Sequence, residues 1–199
     1  MPLILVFDTE TTGIIPTTGT DYPFIIQLSY ALYDTDANKM IETFDAYVSA
    51  PESVIITPFI TNLTGIDRAL LKEKGQDITE VLTKFRRAYD MADVIVGHNI
   101  DFDIKMVLLE SDLHMPSFSE MIKSRTKKIY CTMQHGKAIC KIPGINARGY
   151  YLKYPKLIEL HEFLFGTVPA GLHNAMVDVF ACLRCYMKLE HNQILPEFQ

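Results

Sequence analysis

The chain has 199 residues, 48% hydrophobic and 22% charged, a balance that suits one compact domain over 1–199 with a real core. No apolar run reaches 18 residues and Met1-Pro2 leads straight into a strand, so neither a membrane span nor a signal peptide is indicated and an intracellular location is expected. The net charge of −5 argues against a generally basic nucleic-acid binder, and four cysteines are too few for a disulfide scaffold.

Leu3-Ile4-Leu5-Val6-Phe7 reads as a strand covered on both faces, and it runs into Asp8 and Glu10. At i and i+2 in an extended chain, both carboxylates point to one side. Like charges at the end of a buried strand call for cations, and hard oxygen donors suit Mg²⁺ or Mn²⁺. A solvated acidic strand end would look the same in isolation. Thr17 to Pro23 then reads as a loop, and Phe24–Tyr33 and Met40–Val48 as strands joined by a turn over Asp34–Lys39. The three strands suggest an antiparallel meander with the first innermost.

Pro51 to Asp67 reads as a connector whose Thr64-Gly65-Ile66 precedes a short helix, and Asp77–Met91 as an amphipathic helix with Ile78, Val81, Leu82, Phe85 and Tyr89 on one stripe. Asp93–Gly97 is a fourth strand, followed by His98, Asn99 and a helix through Leu109. On that helix Asp103 shares a face with Val107, so it should meet the sheet while Asp101 is exposed or caps. Short helices over Ser117–Ser124 and Thr132–Lys137 flank a last strand near Lys128–Cys131, and Pro155–Phe165 is a helix followed by Gly166.

From Met121 to Lys156 there are nine Lys or Arg and no acidic residue, which leaves −14 for the remainder. Such a block can track a phosphate backbone, with Tyr150 and Tyr151 available to stack on bases; a solvated basic loop is the plainer reading. The final helix, Asn174–Glu190, points Ala175, Val179, Cys182, Leu183 and Tyr186 inward, with Asp178 bordering that stripe. His173 is five residues before Asp178, about 140° away on a helix, so both reach one site only if His173 precedes the first turn. Cys182-x-x-Cys185 with Cys131, His135 and Cys140 could be imagined as a zinc site, but cysteines inside an apolar helical pattern usually act as small hydrophobes.

Phe7-Asp8-Thr9-Glu10-Thr11-Thr12-Gly13, His98-Asn99-x-x-Phe102-Asp103 and His173-Asn174-Ala175-x-x-Asp178, with the Thr64-Gly65-Ile66 connector, resemble the DEDD superfamily of 3′-to-5′ exonucleases in its DEDDh, or DnaQ-like, subgroup. The resemblance covers most of the chain. It implies an α/β, RNase H-like fold: a five-stranded mixed sheet flanked by helices. It also implies two divalent ions, Mg²⁺ or Mn²⁺, about 4 Å apart, held by Asp8, Glu10, Asp103 and Asp178, with His173 as general base. Thr9, Thr11, Thr12, Ile14 and Asn99 would contact the terminal nucleotide; turn-forming roles for the threonines and core packing for Ile14 are the alternatives.

The implied activity is hydrolysis of a nucleic acid with a free 3′ end, DNA favoured over RNA and single strands preferred, to nucleoside 5′-monophosphates in proofreading or repair. An exoribonuclease of the same family is the runner-up, and a binding module without chemistry the other class. A DNA polymerase is a candidate partner, although only Asn192–Gln199 follow the last helix, which points away from a tethered subunit.

Overall fold

A computed structural model of the protein describes residues 2–18 and 22–196. Within the loop expected over Thr17–Pro23, residues 19–21 fall outside the described residues. β1 (Leu3–Thr11), β2 (Ile25–Asp34) and β3 (Lys39–Tyr47) form the expected antiparallel meander. β4 (Val94–Gly97) and β5 (Lys128–Cys131) add parallel strands on the other side of β1. The order β3-β2-β1-β4-β5 makes β1 the central strand of a five-stranded mixed sheet.

Helices cover both faces. α3 (Ile78–Met91), α4 (Ile100–His114) and α5 (Pro116–Lys123) pack on the face to which β1 sends Leu5 and Phe7. There Phe85 is ringed by Phe7, Tyr30, Tyr89 and Phe118. α8 (Ala175–His191) covers the other face, meeting Ile4, Val6, Ala31, Val94 and Val96 with Val179, Cys182, Leu183 and Tyr186. Strand alternation on β1 therefore feeds two separate cores.

Several elements depart from the sequence expectation, among them α4, which runs five residues past Leu109 to His114, and the helix from Thr132, which continues to Cys140. α1 (Pro58–Thr64) occupies part of the connector, started by the Thr57 hydroxyl accepting the Ile60 N–H and ended by Gly65 at φ 75°; α2 (Arg68–Lys74) follows, capped by Asp67. α7 (Leu157–Phe165) begins two residues later than Pro155, because Glu159 accepts the Lys156 N–H at 2.8 Å and fixes the start there. After α6 (Thr132–Cys140), β6 (Pro143–Asn146) and β7 (Gly149–Leu152) form a two-stranded hairpin inside the basic block. Its turn chemistry, Asn146 accepting the Arg148 N–H and Gly149 at φ 111°, was the available signal.

Candidate active site

The alternation that splits the core also sorts the polar end of β1. Asp8 and Glu10 continue the row of Ile4 and Val6 toward α8, and Thr9 continues the row of Leu5 and Phe7 toward α4. Between Glu10 and Thr11 the pairing with β2 shifts register, a bulge of the kind that re-aims side chains at a strand end.

Each helix then delivers one carboxylate. On the α8 side, Asn174 accepts the Met176 and Val177 N–H groups as N-cap, and Gln27 of β2 accepts the Ala175 N–H at 3.3 Å while donating to Asp45 at 2.8 Å. This fixes the first turn of α8, and ligand oxygens of Asp8, Glu10 and Asp178 lie within 4.8 Å of one another. On the α4 side, β4 turns sharply into the helix at Gly97, where a Cβ would sit 2.5 Å from Ile100 Cδ1. Asn99 takes the N-cap position in the left-handed region at φ 66°. Asp103, 3% exposed, then accepts the backbone N–H of Thr9 at 3.0 Å and its hydroxyl at 2.7 Å. Asp101 is exposed on the same turn.

His173 precedes α8 in the loop, at φ 70° shortly after Gly171 at φ 79°. Its backbone N–H favours the ionised form of the Asp178 carboxyl, and His173 borders the same cleft of about 710 Å³ as Asp8 and Asp178. The threonine hydroxyls are engaged within the fold: Thr9 donates to Asp103, Thr11 donates to the Gly13 carbonyl at 2.6 Å, and Thr12 accepts the Phe24 N–H at 3.0 Å. The Thr11 bond is local to the turn, whereas Thr9 ties β1 to α4 and Thr12 ties it to Phe24 beside β2. Ile14 is 85% exposed and packs in no core, and Asn99 is exposed beside the α4 start.

His98, quoted in the second motif without a role, proves to be a strut of the cleft. Its Nε2–H donates to the Pro155 carbonyl at 3.0 Å, so neutral Nδ1 faces the Thr132 hydroxyl, also at 3.0 Å. Burial holds this imidazole neutral, pushing its pKa down to about 4. It ties the start of α4 to the cleft wall formed by Tyr154, Pro155 and Lys156.

The charges of the cluster are mutually unfavourable. Burial, then the Asp103, Asp178 and Glu10 charges, raises the Asp8 carboxyl well above its ordinary range. Burial, then Asp178 and Asp103, lifts Glu10 to about 8. Burial raises Asp178 and Asp103 each to about 7, against the His173 N–H in one case and the two Thr9 bonds in the other. Asp178 Oδ1 is also buried without a hydrogen-bond partner among the described residues. Oxygen-only donors, crowded, self-repelling and incompletely satisfied, are what a hard divalent cation completes, so this residue set fits Mg²⁺ or Mn²⁺. The cysteines, all free thiols, enter no comparable group among the described residues.

The exonuclease family model RNase_T matches residues 5–186, nearly the whole described fold and all four carboxylates. The chain belongs to this exonuclease family. Within the DnaQ-like group it is similar to a DNA polymerase III PolC-type of Caldanaerobacter subterraneus subsp. tengcongensis, 30% identical over 186 residues that make up 93% of this chain and 11% of that protein. A PolC-type polymerase of Pediococcus pentosaceus is 33% identical over 100 residues, half of this chain and 6% of that one. The exonuclease-family chain thus spans only a small part of these curated relatives.

Among solved structures, E. coli exonuclease I in complex with a dT13 oligonucleotide superposes with a TM-score of 0.72 at 17% identity, covering 96% of this chain and 42% of that one. A zinc-bound complex of the same enzyme with single-stranded DNA gives 0.70 at 18% identity, with 96% and 41% covered. These likenesses establish the RNase H-like fold. Among the described residues, no helix is long and apolar enough to cross a membrane.

Proposed function

We propose that residues 1–199 act as one exonuclease domain that hydrolyses DNA from a free 3′ end, favouring single strands and releasing nucleoside 5′-monophosphates. The observation that carries this reading is the meeting of Asp8, Glu10 and Asp178 at one point of an open cleft, with the Asp178 Oδ1 left unsatisfied. Asp8, Glu10, Asp103 and Asp178 would hold the divalent ions through their carboxylates. When bound, such ions stabilise the attacking and leaving oxygens of an in-line phosphoryl displacement.

The protein's own groups do the rest. His173, exposed at the cleft rim and carried on a backbone that also anchors Asp178, accepts the proton of the attacking water at a ring nitrogen. Thr9 holds Asp103 in place through both of its donors. Ile14, exposed beyond the end of β1, would wedge against the terminal base, and Asn99, exposed at the start of α4, would contact the strand. Thr11 and Thr12 shape the turn that presents them, with backbone groups for the terminal nucleotide.

DNA is favoured over RNA because the relatives named above are DNA polymerases and the superposed enzyme is bound to DNA oligonucleotides. A polymerase is therefore the partner to test, in a proofreading or repair setting. The four free thiols suit a reducing intracellular compartment. The test is incubation of matched 5′-labelled single-stranded DNA and RNA with Mg²⁺ or Mn²⁺, with EDTA, and with Asp8→Ala. A metal-dependent ladder shortening from the 3′ end, absent in the variant and faster on DNA, is expected. Faster cleavage of RNA would transfer the reading to an exoribonuclease; no cleavage by folded, metal-loaded protein would overturn it.

A further inference from the structure

The basic block folds into something more specific than a charged loop. Among the described residues β6 and β7 pair with each other and with no other strand, closed at the base by the Lys153 N–H to Ile142 carbonyl bond at 3.0 Å. The pairings Pro143 with Leu152 and Ile145 with Tyr150 put these four side chains on one face. That face is open: Ile145 is 70% and Tyr150 84% exposed. On the opposite face the Tyr151 ring lies over Gly144, where a Cβ would meet ring carbons at 2.7–2.8 Å. A lone hairpin exposing an apolar aromatic face is marginal in water, so the ribbon is incomplete without something laid on it.

Its surroundings indicate what. Lys141 precedes β6 and Arg148 stands in the turn, both exposed, in a segment with no acidic residue. Two residues beyond β7 the chain enters the cleft wall: Tyr154, with Lys137 Nζ 4.3 Å from its ring centroid, and Lys156 both border the cavity shared with Asp8 and His173. Tyr150 is four residues from Tyr154, at most about 14 Å along the chain, so an occupant leaving the cleft reaches it within a few nucleotides.

We propose that the β6–β7 hairpin is the docking surface for the single-stranded nucleic acid upstream of the cleaved end. Tyr150 and Ile145 receive bases, and Lys141 and Arg148 receive phosphates. Aromatic faces interleaved with cations are how single strands are held without sequence preference. The complementary sign also explains how a chain of net charge −5 keeps a polyanion near an acidic centre. The proposal rests on the exonuclease reading for its substrate, but its test does not need turnover.

Fluorescein-labelled dT15 is titrated in EDTA against the 199-residue chain, Tyr150→Ala, Tyr150→Phe and the double variant Lys141→Ala/Arg148→Ala, with anisotropy as readout. The alanine variant is expected to bind about 5- to 100-fold more weakly, the usual span for losing one stacked base. The phenylalanine variant should keep most of the affinity. The double cation variant should flatten the slope of log affinity against log salt by about 1.4, from two phosphate contacts on a single strand. In parallel, the p-nitrophenyl ester of thymidine 5′-monophosphate, too small to reach the hairpin, is offered to the wild type with Mn²⁺ and reads the acidic centre by itself. Unchanged dT15 affinity in both Tyr150→Ala and the cation variant would overturn the proposal and leave the face to a protein partner. Loss of ester and oligonucleotide hydrolysis in wild type, with the binding differences intact, would overturn the exonuclease reading and keep the docking surface.

Discussion

The strand end carrying Asp8 and Glu10 is gripped on both faces of the sheet, whereas the β6–β7 hairpin, which leads into the wall of the same cleft, is closed at its base by the Lys153–Ile142 bond and open on one face. The first is acidic, crowded and positioned by two cores that meet across β1; the second is cationic, aromatic and open. Chemistry needs carboxylates fixed against their own repulsion, and only a central strand between packed helices supplies that restraint. Holding a flexible polymer of any sequence needs accessible ring faces and mobile cations, which a ribbon at the periphery provides. Damage to the first region should therefore appear in turnover and metal binding, and damage to the second in substrate affinity.

The sharpest way to separate the two is at Asp8. Asp8→Ala should cut turnover at least about 10³-fold while dT15 binding in EDTA is retained, because hairpin contacts do not involve the cluster. The same logic makes Asp8→Asn a stabiliser of metal-free protein: it replaces a buried carboxyl that burial and the Asp103, Asp178 and Glu10 charges disfavour in its ionised form, and about 1–2 kcal/mol is expected by thermal unfolding. A lower melting temperature would show that the carboxylates are better satisfied without metal than their crowding implies.

His173→Ala should lower kcat about 10²- to 10⁴-fold with little change in KM for long oligonucleotides. A variant that instead lost affinity for the strand would place His173 among the binding groups.

Thr9→Val tests the shell behind the metal ligands. It removes the 2.7 Å hydroxyl bond to Asp103 and keeps the backbone one, so apparent metal affinity should fall about 10- to 100-fold, measured as the Mn²⁺ concentration for half-maximal activity.

Protons and metals should compete across the same cluster. Glu10 near 8 and Asp103 and Asp178 near 7 are raised above their unfolded values, so the metal-free folded state binds more protons than the unfolded one between those limits. Its stability then falls as pH rises through about 4 to 8 on account of these groups. Deprotonated ligands bind cations more tightly, so the gain in melting temperature on adding Mn²⁺ should be larger at pH 8 than at pH 5. An equal gain at both would mean that protons do not occupy the site.

The smallest effect belongs to Gly144→Ala, whose methyl would push the Tyr151 ring aside: KM for oligonucleotides should rise by a few-fold, with melting temperature unmoved because the hairpin lies outside both cores. A substantial loss of stability would show that the ribbon is anchored more firmly than its contacts suggest.

Much of this was legible in the residues themselves. Apolar patterning marked β1 to β3 and the long helices, since burial on one or two faces leaves a lasting signal, and β4 showed as a short apolar run ahead of a helix. The meander placed β1 in the centre, and i, i+2 spacing placed Asp8 and Glu10 on one side. Helix phase separated Asp103 from Asp101, and pitch alone required His173 to precede α8. Short elements defined by local hydrogen bonds, α1 and the β6–β7 hairpin, escaped because seven- and four-residue pieces carry no period, only turn and cap signals. What tertiary structure alone decided is which groups share a site. The parity of β1 sends Asp8 and Glu10 to α8 and Thr9 to Asp103, Gln27 pins the first turn of α8, and His98 joins Thr132 to Pro155, the latter 57 residues away from it in the chain. Those pairings depend on how two cores pack against opposite faces of one strand, a long-range result that no local spacing encodes.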